Sequence, residues 1–154
     1  MDYIRTMRKL VGQRPLLTVG CGVILTKDDR ILLQHRVDED NWCIPGGVMV
    51  IGETFEETAK RETFEETGMH VGALRLFGLY SGDACFVTYP NGDEMYSVQV
   101  IFISSDFTDN IIQSGSESQS HHFFNKEELP LNLNPRQRQF IEEWASGKNS
   151  YNDD

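Results

Sequence analysis

Glu62, Glu65 and Glu66 are spaced i, i+3 and i+4, so on a helix their side chains converge on one face. Gly68 is a natural residue to follow a helix end, which places the three acids in the last turns. There the helix dipole disfavours negative charge, and Arg61 is the base placed to offset Glu65, in the less favourable order. Three crowded carboxylates in such a place need free water or a cation, and hard cations such as Mg²⁺ take oxygen ligands of this kind. On charge alone, an acid-rich solvated helix accounts for the same residues. The surroundings add to the case for a cation. Pro45-Gly46-Gly47 precedes the helix, and its backbone can approach a ligand closely. Carboxylates at the edge of a packed face, beside bare backbone carbonyls, make a metal site.

The element that must position these groups is a helix from about Thr54 to Thr67. Thr54 with Glu57 three residues on forms a capping box at its start. Ala59, Thr63 and Glu66 share a face with Phe55, which is the side expected to pack. Glu56 with Lys60, and Glu57 with Arg61, read as ion pairs on the solvated face, each contributing about 0.2–0.5 kcal/mol.

Around this helix the chain alternates strands and turns. Residues 2–11 carry Tyr3, Ile4, Met7, Leu10 and Val11 at helical spacing. The run 16–25 reads as a buried strand, and Lys27-Asp28-Asp29-Arg30 turns it into a second strand, Ile31 to Arg36. A short strand broken by Pro-Gly-Gly spans Cys43 to Met49. Further strands are expected at Val71–Tyr80, Cys85–Tyr89, Tyr96–Ser104 and His121–Phe124, with Asn91-Gly92 in a tight turn. Thr108 to Ser120 is polar and reads as a loop. Asn134-Pro135 is expected to cap a last helix that turns Phe140, Ile141 and Trp144 toward the body.

The chain has 154 residues, room for one domain with an adequate core. Its formal charge of −10, from 14 basic and 24 acidic residues, argues against double-stranded nucleic acid as the main partner. No apolar run is long enough to span a membrane, and the N-terminus lacks a signal-peptide pattern, so residence in the cytoplasm is the expectation. Cys21, Cys43 and Cys85 lack zinc-site spacing and read as buried, inert thiols. Neither a P-loop nor a dinucleotide-binding glycine motif occurs.

Gly47, Glu53, Arg61-Glu62, Glu65-Glu66 and Gly68 stand at spacings that resemble the signature box of the Nudix hydrolases. Trp42-Cys43-Ile44-Pro45-Gly46 before it, and Phe123-Phe124 with Glu128-Leu129-Pro130 after it, are similar to that family as well. The resemblance covers roughly residues 15–145 and is to the ADP-ribose pyrophosphatase-like bacterial type. It departs at Thr63, where the family usually has an aliphatic residue. The resemblance implies an α/β fold, an α/β/α sandwich around a mixed β-sheet. The chain then divides into an N-terminal helix (1–14), a Nudix domain (15–146) and a disordered tail (147–154).

The activity implied is hydrolysis of the diphosphate in a nucleoside diphosphate derivative, ADP-ribose-like compounds first, with Mg²⁺ or Mn²⁺. Glu65 and Glu66 would be metal ligands and Glu62 a ligand or base; the Gly46 carbonyl would complete the shell. Arg61 would orient the glutamates, and Glu53 would brace the loop. Arg36 is a candidate substrate contact, and so is Trp42 as a stacking partner for a base, with packing against the box loop as its alternative. Glu117 is a candidate for a further catalytic, metal or substrate contact, with a solvated loop acid as its alternative. His121 and His122 alternate across a strand, so at most one faces a given side. The partner implied is a small nucleotide, with no membrane partner, and a homodimer is allowed. Two rival functions remain open here: a non-catalytic nucleotide-binding regulatory module, and removal of pyrophosphate from RNA 5′ ends.

Overall fold

The computed structural model describes residues 2–108 and 118–152. β1 (Leu16–Lys27) and β2 (Arg30–Arg36) are joined at Asp28 and Asp29, whose φ angles are 54° and 61°. Aspartate tolerates this left-handed conformation, and two such residues in succession match the twist of a hairpin. The hairpin is paired at its tip, Thr26 opposite Ile31 and Lys27 opposite Arg30. Beyond the tip the strands part. β1 runs parallel to β7 (Glu94–Ser104), from Leu16 opposite Met95 to Leu25 opposite Ser104. β2 instead takes β3 (Asn41–Cys43) on one side and β8 (Ser118–Asn125) on the other, both antiparallel. β4 (Gly46–Val48) pairs with β1, while β5 (Arg75–Tyr80) and β6 (Phe86–Thr88) pair with β7. The result is a mixed sheet that splits at the hairpin.

Strand residues alternate between faces, so strands that are apolar throughout bury both. On one face Ile24, Ile31, Leu33, Ile101 and Ile103 pack with Phe140, Ile141 and Trp144 of α3 (Arg138–Ala145). On the other, Val23, Leu25, Leu32, Val100 and Phe102 pack with Ala59 of α2 (Phe55–Thr67) and with Met69. This is the α/β/α sandwich that the resemblance implied. A further helix, α1 (Tyr3–Val11), is capped by Asp2 and has no buried residue.

Several elements differ from the sequence reading. β5 begins at Arg75, because Val71 makes only an isolated bridge to Phe107. Cys85 ends a short 3₁₀ turn, and β6 starts after it. The strand expected at 121–124 begins at Ser118, where pairing with β2 outweighs the polar composition. α3 starts at Arg138, later than Asn134-Pro135 suggested. Asn134 caps a preceding turn, its Oδ1 accepting from the Arg136 N–H at 3.0 Å. Over residues 147–152 the tail expected to be disordered is tied to β5: the Tyr151 N–H donates to the Leu76 carbonyl at 2.8 Å, and Arg75 donates to the Asn149 carbonyl at 3.2 Å. No described helix is long and apolar enough to cross a membrane.

Candidate functional site

The α2 helix is fixed at both ends. Thr54 Oγ1 accepts from the Glu57 N–H at 3.0 Å, and the Glu57 carboxylate accepts from the Thr54 N–H at 2.8 Å. At the other end Gly68 takes φ 78° and donates to the Phe64 carbonyl. With Glu57 committed to the cap, Arg61 turns away from the expected partner. It lies between the helix and the loop that precedes it. Its Nε and Nη2 grip Glu53 at 2.6 and 3.0 Å, Nη2 reaches the Val48 carbonyl at 3.2 Å, and Nη1 meets Glu62 at 2.9 Å and Glu65 at 3.3 Å. A bidentate guanidinium–carboxylate pair of this kind is directional as well as strong. It holds the Glu53 carboxyl down to about 2. The other Glu53 contacts, from the Val50 N–H at 3.1 Å and the Thr58 hydroxyl at 2.9 Å, tie the loop to the helix start.

Glu66 faces differently from Glu65. Glu65 is exposed, whereas the Glu66 carboxylate is sunk against the sheet. There its Oε1 accepts from Gln34 Nε2 at 2.9 Å and its Oε2 from the Gly46 N–H at 2.8 Å. Both donors are neutral, and burial pushes the Glu66 carboxyl up to about 8. Burial also raises that of Glu62. Glu62 lies over the bare Cα of Gly47, where any side chain would overlap its carboxylate. A side chain on Gly46 would meet the Cys21 carbonyl oxygen at 2.7 Å and the Gly22 Cα at 2.8 Å. The glycine pair is thus required by close packing on both sides.

In type and placement the donor set fits a hard divalent cation: oxygen ligands on one helix face, one of them buried between neutral donors. Among the described residues, no three His, Cys, Asp or Glu side chains are gathered closely enough to hold an ion. Arg61 holds Glu62 and Glu65, while Gln34 and Gly46 hold Glu66. Cation binding therefore requires Glu62 and Glu65 to turn toward Glu66.

Beside the glycines lies a cleft of about 140 Å³, lined among others by Gly20, Gly22, Gly46, Arg36, Gln99 and Arg136. Arg36 thus sits at the cleft, with its guanidinium on Asp38 at 3.1 and 3.2 Å. Trp42 is placed elsewhere. It stands next to Cys43 on β3, so it points to the opposite face, where it packs on His35, His122 and Phe124 at centroid distances of 5.1, 5.8 and 5.0 Å. The structure does not bring it to the carboxylates. Glu117 lies outside the described residues. All three cysteines are free and buried, and burial pushes the Cys43 thiol up to about 12 and that of Cys21 to about 11.

The sequence reading missed Gln34, which is 1% exposed and bonds Glu66 directly. One signal could have found it: it is a polar amide ending the apolar run Ile31-Leu32-Leu33. It also meets His121, whose Nε2 lies 3.1 Å from its Oε1.

Comparison with known proteins gives a consistent picture. The family model for the NUDIX domain matches residues 16–144. An ADP-ribose pyrophosphatase of Methanocaldococcus jannaschii is 30% identical over 137 residues, covering 82% of this chain and 77% of that protein. A MutT-like protein of Streptomyces ambofaciens is 42% identical over 67 residues, which is 43% of this chain and 44% of the relative. The chain therefore spans less than half of the latter. Among solved structures, a MutT NUDIX hydrolase from Burkholderia pseudomallei superposes with a TM-score of 0.71 at 24% identity, over 82% of this chain and 97% of that one. At that identity the likeness concerns the fold.

Proposed function

The chain belongs to the Nudix family of hydrolases that act on pyrophosphate bonds, and on that premise we propose that it cleaves the diphosphate of a nucleoside diphosphate linked to another moiety, with Mg²⁺ or Mn²⁺. ADP-ribose-like compounds are the first candidates, since a relative of 30% identity carries the name of an ADP-ribose pyrophosphatase. The observation that carries the reading is the carboxylate face of α2. Glu62 and Glu65 lie on Arg61, and Glu66 is buried beside Gly46 between two neutral donors.

Glu62, Glu65 and Glu66, with the Gly46 carbonyl, would hold the cation. Bound there, a divalent cation screens the diphosphate charge and acidifies the attacking water. Arg61 orients Glu62 and Glu65 and joins them, through Glu53, to the loop that carries Gly47. Glu62, lodged on Gly47 with its carboxyl pushed up by burial, is poised to accept a proton from water. Arg36, at the cleft beside Gly46, is placed to meet a phosphate. Glu117 stands as a catalytic or substrate contact on sequence alone.

The test is phosphate or nucleoside monophosphate release from a nucleotide panel, with Mg²⁺, with Mn²⁺ and with chelator. We expect turnover of a nucleoside diphosphate derivative that chelator abolishes. Binding of nucleotides without turnover of any would favour a regulatory module instead. Selective turnover of triphosphate-ended RNA would move the substrate to RNA 5′ ends.

A further inference from the structure

Cys43, Gln34 and His121 stand side by side across β3, β2 and β8, each directly opposite the next in register. Gln34 is 1% exposed and His121 8%. The middle residue reaches Glu66 through its amide nitrogen at 2.9 Å, and its carbonyl oxygen meets His121 Nε2 at 3.1 Å. The Cys43 sulfur lies 3.8 Å from the same amide nitrogen. The His121 ring also interacts with the Glu66 backbone, while its buried Nδ1 makes no well-formed hydrogen bond among the described residues.

A glutamine amide can present either its NH₂ or its oxygen to a neighbour by a half turn of its last torsion. A carboxylate that is to bind a cation must be ionised, and it can then only accept. Gln34 must therefore give its NH₂ to Glu66 and its oxygen to His121. That requires a proton on His121 Nε2 and leaves Nδ1 without a well-formed hydrogen bond. A buried polar atom without a partner is uncommon and calls for a reason. Here the reason is that the useful bond is made by the other nitrogen.

We propose that Gln34 and His121 are positioning residues for the cation site: His121 locks the amide of Gln34, and Gln34 aims Glu66. The proposal rests on the reading of Glu66 as a cation ligand. Glu66 comes from a helix and its supports from two strands on the far half of the split sheet, so the row transmits the position of the sheet to the ligand. Partners of this kind orient ligands and tune affinity. Without His121 the amide is free to turn its oxygen toward the carboxylate, and repulsion would push Glu66 off its place.

The experiment is Mn²⁺ titration of the nucleotide-free protein, followed by electron paramagnetic resonance, with thermal unfolding of each variant as a check on folding. Gln34→Met keeps length and burial but removes the amide, and it should weaken Mn²⁺ binding about 10-fold or more. His121→Phe should weaken it less. The double variant should bind no worse than Gln34→Met alone, because the proposed role of His121 runs through Gln34. Should Gln34→Met prove too unstable to titrate, Gln34→Asn withdraws the amide by one methylene and reads the same contact. Wild-type affinity in the folded Gln34 variant, or losses that add in the double variant, would overturn the proposal. A wild-type protein that binds no Mn²⁺, or Glu66→Gln that binds it undiminished, would remove the cation reading itself and this inference with it.

Discussion

Thr63 lies on the packed face of α2, fully buried, and its hydroxyl has no hydrogen-bond partner among the described residues. Its own carbonyl accepts from the Thr67 hydroxyl at 2.6 Å, so the backbone at this turn is occupied while the side chain is not. A threonine hydroxyl in a helix can back-bond to the carbonyl one turn earlier; here it does not. Burying a hydroxyl unpaired costs about 1–3 kcal/mol. Thr63→Val replaces it with a methyl group of similar size, so no cavity opens, and the helix propensities of the two residues are close. The change should stabilise the protein by about 1 kcal/mol, the low end of that range, because a core site can relax around a hydroxyl. For a chain of this length that corresponds to a rise in Tm of about 2–4 °C. Urea unfolding of both proteins measures it: the midpoint should rise with the slope unchanged. A loss of more than about 1 kcal/mol would refute the reasoning, since it would show that the hydroxyl has a partner that the structure does not place.

Glu65→Gln and Glu66→Gln should each lower kcat by at least ~10²-fold while circular dichroism shows an intact fold, since each removes charge from a site built around it; near-normal turnover in either would defeat the metal-site assignment. Gly47→Ala should lower kcat by about 10- to 100-fold, because its methyl group displaces the Glu62 carboxylate; steady-state kinetics reads this, and unchanged kcat would remove Glu62 from the mechanism. Glu53 is held below its ordinary range by Arg61, to about 2. A depressed carboxyl contributes stability that is present above its unfolded pKa and lost as pH falls through the folded one. Stability should therefore fall between about pH 4.5 and pH 2, and Glu53→Gln should flatten that part of the profile in acid unfolding experiments.

Much of the site was legible because it is local. The capping box at Thr54 and Glu57, the end at Gly68, and the shared face of Glu62, Glu65 and Glu66 follow from helical periodicity within one segment. The apolar runs of β1, β2 and β7 likewise announce strands buried on both faces. What periodicity cannot supply is which distant groups meet a given face. The pairing of Arg61 with Glu57 was misread, though its contact with Glu65 was not, because only the closed loop decides between Glu57 and Glu53. Trp42 could not be assigned a side until its pairing with His35 placed it opposite Cys43 in facing. Gln34 and His121 are 87 residues apart, and neither is near α2 in the chain. The register of β2 between β3 and β8 joins them, and the packing of α2 on the sheet then sets Glu66 against them. The sequence by itself determined the helix, its carboxylate face and the strands. The tertiary structure decided which carboxylate is buried, what holds it and which arginine partner wins, because these depend on contacts between segments that no local pattern encodes.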